Sequence, residues 1–334
     1  MNNSKLQIGI IGAGAISEFH LQAWRQCSEA NVVAITDVNQ ENAKAKADAF
    51  GIPAIYERVE DMLKNEHLDA VDIITPVETH AFLTKLCVNE GIDVICQKPL
   101  TPTAKLAEEL CNYCDGKARV MVHENTRFKP HFQKAKQILE SGELGRIKRV
   151  NLTVRSSGYF RKDSDALPFY LMRQPYLSEF VLLLIFESLI HHIDVLASLF
   201  GKLSVIYSSA TNLNTTDLSG EDTALILFSS EDNTLISLDG SFAAAGSPSL
   251  PEDKLEIMGE EGRAVITNHH VTLSKRDTDR TEKIENEYSI PFHLATQHFV
   301  DCLISGKEFE TSAHSNLETL RLVESVYEKL VHFK

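Results

Sequence analysis

Over its first 125 residues the chain alternates short apolar runs with amphipathic runs of helical length, and that rhythm leaves little freedom of architecture. Gln7 to Ile11 reads as a strand, Ala15 to Ser28 as a helix, Val32 to Asp37 as a strand and Gln40 to Phe50 as an Ala/Lys-rich helix. Ala70 to Thr75, Thr79 to Glu90, Asp93 to Cys96, Thr103 to Cys114 and Arg119 to His123 continue the pattern. Strict strand–helix alternation predicts βαβ units, hence an α/β fold with a doubly wound parallel sheet and helices on both faces.

The rhythm then changes. After a helix at Pro130 to Ser141 and a glycine turn at Gly142 to Gly145, strand-like runs follow at Ile147 to Val154, Leu203 to Ser208, Thr223 to Phe228, Thr234 to Leu238, Lys254 to Met258 and Ala264 to Thr267. Turn residues, not helices, separate the last four, which favours antiparallel pairing. The second part is expected to be an α+β domain on a large, mostly antiparallel open sheet, with helices at Phe180 to Phe200, Phe292 to Ile304 and Leu317 to Leu330. A length of 334 residues suits two domains, and the change of pattern places them at residues 1–125 and 126–334.

Lys and Arg number 33 against 47 Asp and Glu, a net charge of −14 that repels phosphate backbones and anionic lipid. Nucleic acid and membrane surface are thereby disfavoured as partners, and small neutral molecules suit the field better. Phe180 to Phe186 is the longest apolar run, far short of the roughly 20 residues a membrane span needs. The six cysteines are scattered and no apolar signal region opens the chain, so a reducing, cytoplasmic location is expected. Cys111 and Cys114 have CxxC spacing within a helix-like run but lack a second ligand pair, so no metal site is expected.

The strongest local signal is Gly12-Ala13-Gly14-Ala15-Ile16-Ser17, lying after an apolar strand and opening a helix. The first glycine permits a tight turn, and the second removes a side chain so that a pyrophosphate can approach the positive helix end. Ser17 stands where a third glycine would allow close helix–strand packing. Asp37 ends the second strand 20 residues after Ser17, where a carboxylate accepts hydrogen bonds from an adenosine ribose. It would repel a 2′-phosphate, and Val38, Asn39 and Gln40 bring no cation, so NAD is expected over NADP. The plainer alternative for Asp37 is a cap for the next helix.

Thr75-Pro76-Val77-Glu78-Thr79-His80 and Gln97-Lys98-Pro99 follow two later strands at the carboxyl edge, where open α/β sheets bind ligands. Thr75, Pro76, His80 and Gln97 are candidate cofactor contacts together with Gly12, Gly14, Ala15, Ile16 and Asp37. Lys98 could place its charge beside a developing alkoxide, or be a surface lysine before a loop proline. In Glu187-Ser188-Leu189-Ile190-His191-His192-Ile193-Asp194, helical rotation puts His191 about 40° from Glu187 and Asp194 about 20° to its other side, so the three share one stripe. A reaction cleft would explain that stripe, with His191 exchanging a proton and Glu187 orienting it; a buried Glu/His/Asp network or a metal site are the alternatives. The run Gly158 to Ser178 offers Tyr159, Arg161, Arg173 and Tyr176, and with His192 and Asp194 these are candidate substrate contacts or a polar connection.

Taken together, these motifs resemble the Gfo/Idh/MocA family, which includes glucose-fructose oxidoreductase, inositol 2-dehydrogenase and the rhizopine-catabolism proteins, and the resemblance spans essentially the whole chain. It implies a Rossmann domain followed by a domain whose open sheet commonly mediates homo-oligomers. It also implies a nicotinamide dehydrogenase acting on CH–OH groups of sugars, polyols or related compounds. Lys98 matches the lysine of the family's EKP motif and His191 the histidine of its DxxxH motif. Gln97 and Glu187 depart from the Glu and Asp of those motifs, which removes a negative charge beside Lys98 and lengthens the arm at 187 by a methylene. An NAD-dependent glycosidase or epimerase that borrows and returns a hydride, or a non-catalytic NAD and sugar sensor, is a rival reading.

Overall fold

The computed structural model describes residues 5–161, 167–213 and 217–331. It divides into two compact units: the chain up to Phe128 with Glu287–Leu320, and Lys129–Asn286 with the chain from Arg321 on.

In the first unit the elements run β1 (Leu6–Ile11), α1 (Ser17–Gln26), β2 (Ala30–Thr36), α2 (Gln40–Phe50), β3 (Ala54–Tyr56), α3 (Val59–Asn65), β4 (Ala70–Ile73), α4 (Val77–Asn89), β5 (Asp93–Gln97), α5 (Ala104–Cys114) and β6 (Val120–His123). The sheet order is β3-β2-β1-β4-β5-β6 and every pairing is parallel. The order in which successive strands are added reverses between β1 and β4, and the carboxyl ends flanking that point form the crevice where such sheets take ligands. β4 and β6 are buried along their whole length, as strands covered on both faces must be. β3 and α3 were not legible in the sequence. β3 is a three-residue edge strand whose Ile55 is exposed, and α3 buries only Met62, so neither leaves a periodic signal.

The expected division at residue 125 differs from the observed one. The helix Ile290–Ser305 returns to the first unit, where Ala295, Phe299 and Val300 share a core with Ile8, Ile10 and Trp24. Phe299 meets the Trp24 ring edge-on, 6.2 Å between centroids. The apolar face of this helix is visible in the sequence, but the core that receives it lies nearly the whole chain away.

The second unit holds α6 (Pro130–Glu140), β7 (Ile147–Arg155), α7 (Phe169–Arg173), a π-helical segment Leu184–Leu189, α8 (Ile190–Phe200), β8 (Leu203–Thr211), β9 (Thr223–Ser230), β10 (Leu235–Ser241), β11 (Glu252–Gly259), β12 (Arg263–Thr267), β13 (His270–Lys275) and β14 (Thr278–Lys283). Its sheet has the order β14-β13-β12-β11-β7-β10-β9-β8, antiparallel throughout except for β7 beside β10. β14, Thr-Asp-Arg-Thr-Glu-Lys, was unreadable as a strand because it buries almost nothing; its charges blunt the sheet edge instead. The single helix expected over Phe180 to Phe200 is a π-helical segment followed by α8. Among the described residues, no helix is long and apolar enough to cross a membrane.

Candidate active site

In the first unit Gly12 makes the turn after β1 with φ +108°, and a Cβ there would lie 2.3 Å from the Ile74 carbonyl oxygen, so both backbone and packing require glycine. Gly14 differs. It is exposed, and a Cβ built on it meets nothing within 4 Å, so the protein's own packing does not demand glycine there. The space a side chain would take lies before α1, whose amino end carries no side-chain cap, and the positive end of a helix suits a phosphate. Ala15 is exposed and Ile16 half-buried at the same turn. Ser17 is buried, and its hydroxyl donates to the Gly14 carbonyl at 2.7 Å, so serine closes the loop that it enters in place of a third glycine.

Asp37 follows β2 directly. Its Oδ2 accepts from Ala13 N–H at 2.6 Å and its Oδ1 from Asn39 N–H at 2.7 Å. It therefore ties the glycine turn to the end of β2, and each oxygen retains a lone pair for a ribose hydroxyl. The cap of α2 is Asn39, which accepts from Glu41 and Asn42 N–H, so the plainer reading of Asp37 as that cap does not hold. An open cradle at Gly14 beside a half-buried carboxylate fits a dinucleotide.

Thr75 and Pro76 lie at the carboxyl edge after β4, half-buried and exposed respectively. His80, by contrast, is buried, with Nε2 at 2.8 Å from the Thr75 carbonyl and Nδ1 at 2.9 Å from that of Pro99. Burial pushes its pKa down. His80 thus sits in the interior between the Thr75 and Pro99 carbonyls, to one of which its neutral ring can donate, which corrects its expected place as a cofactor contact. Gln97 ends β5, its Oε1 accepting Lys98 N–H at 2.7 Å and its Nε2 lying 3.0 Å from His20 Nε2. The half-buried Lys98 follows, and the Lys98–Pro99 peptide bond is cis.

In the second unit, Glu187 lies in the π-helical segment and the half-buried His191 is the second residue of α8. Bonds in a π turn span five residues, not four, so the α-helical rotation that set Glu187, His191 and Asp194 on one stripe does not carry across Leu189. The start of this segment is held from afar. Leu183 N–H donates to Glu221 Oε2 at 3.1 Å, Ile185 N–H to Glu221 Oε1 at 3.1 Å and Leu184 N–H to the Glu221 carbonyl at 3.2 Å. Phe186 N–H donates to the Tyr327 hydroxyl at 3.2 Å, and that hydroxyl donates to Glu221 Oε1 at 2.7 Å. Four donors that a helix start leaves unpaired are accounted for by two residues.

The expected substrate contacts separate. Tyr159 is 1% exposed, packed between Tyr170 and Phe242 with centroids 5.4 and 5.8 Å away, and burial pushes its phenol pKa up. His192 is buried, its Nε2 2.9 Å from Asp253 Oδ1, while Asp253 Oδ2 lies 3.0 Å from His131 Nε2 and 3.1 Å from Lys129 Nζ. Those donors hold the Asp253 carboxyl well below the usual carboxylate range against its burial. Asp194 is buried too. Tyr159, His192 and Asp194 are therefore core residues, a correction that follows from burial. Arg173 and Tyr176 are exposed, and Arg161 pairs with Asp217 at 2.7 Å; residues 162–166 of that run lie outside the described residues. The sequence reading missed His20, Asp72, Glu221, Asp253 and Tyr327. Each acts on a segment distant in the chain, and only His20, eight residues after Gly12, and Asp72, three before Thr75, had a local motif beside them.

A family model described as the oxidoreductase family with an NAD-binding Rossmann fold matches residues 6–126, and one for the GFO/IDH/MocA C-terminal domain matches residues 132–265. A D-apiose dehydrogenase of Paraburkholderia graminis is 31% identical over 95% of this chain and 86% of its own length. An inositol 2-dehydrogenase of Rhizobium meliloti is 26% identical over 97% of this chain and 98% of its own. Among solved structures, an oxidoreductase from Agrobacterium radiobacter, in complex with NAD+, L-tartaric acid and magnesium, superposes with a TM-score of 0.89 at 26% identity, covering 97% of this chain and 96% of that one. Two adjoining family models over most of the chain and a full-length relative agree with the open glycine cradle and the Asp37 tie, and the chain belongs to the GFO/IDH/MocA family of NAD-binding Rossmann-fold oxidoreductases.

Proposed function

We propose that this oxidoreductase is an NAD-dependent dehydrogenase that oxidises a CH–OH carbon of a sugar or polyol. The observation that carries the reading is the open cradle at Gly14 beside Asp37, on the sheet edge where Lys98 also lies. The polyhydroxy substrates named for the apiose and inositol dehydrogenases support the substrate class. Bound nicotinamide would supply the hydride acceptor. The chain's own residues bind, orient and move the proton. The amino end of α1 holds the pyrophosphate, and Asp37 receives ribose hydroxyls and disfavours a 2′-phosphate, which favours NAD over NADP. Lys98 holds the reacting hydroxyl by its positive charge, so that the developing alkoxide is stabilised. His191 takes the hydroxyl proton, and Glu187 orients the imidazole. Arg173 and Tyr176, exposed in the second unit, are left as its substrate contacts from the Gly158–Ser178 run.

We also infer a cytoplasmic homo-oligomer. Six buried cysteines outside any disulfide suit a reducing compartment, and Leu225 and Leu235 are exposed on one face of neighbouring strands in the second sheet. The test is NADH absorbance on mixing the protein and NAD with a panel that includes D-apiose and myo-inositol. Turnover is expected, with His191→Ala lowering kcat about 10²- to 10⁴-fold. No turnover, together with unaltered NAD and sugar binding in Lys98→Ala and His191→Ala, would overturn the reading.

A further inference from the structure

Gln97 stands where the family motif has glutamate, and its surroundings show what an amide does there that a carboxylate would not. Its two polar atoms face different kinds of partner. The backbone N–H of Lys98, 2.7 Å away, can only donate, so the atom facing it is the amide oxygen. The amide nitrogen is then the atom 3.0 Å from His20 Nε2, and because it can only donate, His20 Nε2 must carry a lone pair. The single ring proton of His20 sits on Nδ1 and donates to Asp72 Oδ2 at 2.9 Å, an oxygen that also accepts from the Trp24 indole at 2.8 Å. Turning the amide over would set donor against donor at Lys98.

The ring is sealed in. His20 is fully buried on α1, and the groups that face it are Asp72 from β4, Gln97 from β5, Trp24 on its own helix, His123 from β6 at 4.1 Å between centroids and Phe292 from the helix Ile290–Ser305 at 5.7 Å. His123 is itself held uncharged, because burial pushes its pKa down to about 3. A second proton on His20 would have to point at the Gln97 NH2 group.

We propose that Gln97 is a positioning residue: its amide fixes His20 as the Nδ1–H tautomer and, with its oxygen, anchors the backbone N–H of Lys98. A carboxylate at position 97 could still receive the Lys98 N–H, but it could keep His20 as a partner only if the ring took a second proton and bridged two carboxylates. The inference rests on the role proposed for Lys98 only in its kinetic part; the state of the ring is independent of it.

The experiment uses the full chain with ¹⁵N-labelled histidine and long-range ¹H–¹⁵N spectra from about pH 5.5 to about 8.5, the window in which histidines titrate. The His20 signals are assigned by their loss in His20→Asn. In the wild type at neutral pH, His20 Nε2 should show the shift of a bare nitrogen and Nδ1 that of a protonated one. In Gln97→Glu both nitrogens should be protonated at the acid end, and Nε2 should lose its proton as pH rises. Over the same interval the ratio of variant to wild-type kcat/KM, on the panel compound that turns over, should fall about tenfold, the scale of one lost hydrogen bond. A wild-type His20 that carries an Nε2 proton at neutral pH overturns the proposal, and this arm needs no variant of Gln97 to fold. A ring state as expected with a flat kinetic ratio overturns the anchoring of Lys98. If no compound turns over, the function assigned to Lys98 has failed, while the spectra still decide what Gln97 does to His20.

Discussion

Lowering the pH should weaken the first unit through His123, at the end of β6. The side chain is 1% exposed, neither ring nitrogen has a hydrogen-bond partner among the described residues, and burial pushes its pKa from 6.5 down to about 3. The unfolded chain therefore takes up a proton that the folded unit refuses. Stability from this residue is complete above about pH 6.5 and is lost progressively as pH falls toward the folded value. At pH 5 the unfolded state gains RT ln(1 + 10^1.5), about 2 kcal/mol, against about 0.2 kcal/mol at pH 7. Trp24 is the chain's only tryptophan, is buried in the same unit and bonds Asp72 beside His20, so its fluorescence follows the unfolding of this unit. Urea titrations of wild type and His123→Leu at the two pH values isolate the residue. His80, also held below its ordinary value by burial, contributes equally to both proteins and cancels. The wild type should lose about 2 kcal/mol more than the variant between pH 7 and pH 5. Equal losses, within about 0.5 kcal/mol, would refute the argument that His123 is carried neutral in the folded unit.

Asp37→Ala should weaken NAD binding and raise the ratio of NADP to NAD affinity by roughly ten- to a hundredfold, because it removes both a ribose acceptor and the charge that repels a 2′-phosphate; calorimetric titration with each dinucleotide measures it. Asp253→Asn should cost the second unit about 3 kcal/mol, since Lys129, His131 and His192 lose their shared carboxylate, and thermal unfolding should show that cost at pH 7 and at pH 5 alike, because the carboxyl is held well below its ordinary range. Tyr327→Phe removes the acceptor of Phe186 N–H and should speed amide hydrogen exchange over Leu183–Glu187 about tenfold, with exchange in β8 to β10 unchanged.

What the sequence disclosed about the fold follows from how its information is distributed. The Gly12 turn, the Asp37 carboxylate and the strand–helix rhythm of the first unit are local, because a strand covered on both faces and a helix covered on one each write their own period into consecutive residues. Where burial is slight the period vanishes, as in β14 and α3. Where burial depends on a distant partner the period survives and the partner does not: Phe299 and Val300 read as a helix face, yet nothing near them names the core around Trp24. The π-helical segment was illegible for a sharper reason. Glu221 and Tyr327, 34 and 140 residues from Glu187 in the numbering, supply the acceptors at its start, so a window confined to Phe180–Phe200 contains only the residues of an ordinary helix.

The same division runs through two of the residues assigned to the site. Lys98 and Glu187 were found because their motifs are contiguous, yet each sits on backbone fixed by groups outside those motifs: Lys98 beside a Gln97 amide committed to His20, itself held by Asp72, and Glu187 on a turn whose first donors end on Glu221 and Tyr327. A displacement of about one ångström at a reacting group can cost a hundredfold in rate, which is larger than the effect of most changes in stability that leave a protein folded. Substitutions at Glu221 and Tyr327 should therefore reduce kcat before they reduce folded protein, whereas substitutions in the Asp253 cluster, whose donors are buried against one charge, should reduce both together. That contrast separates residues that place the chemistry from residues that hold up the unit, and neither group could be told from the other by the side chains in the sequence alone.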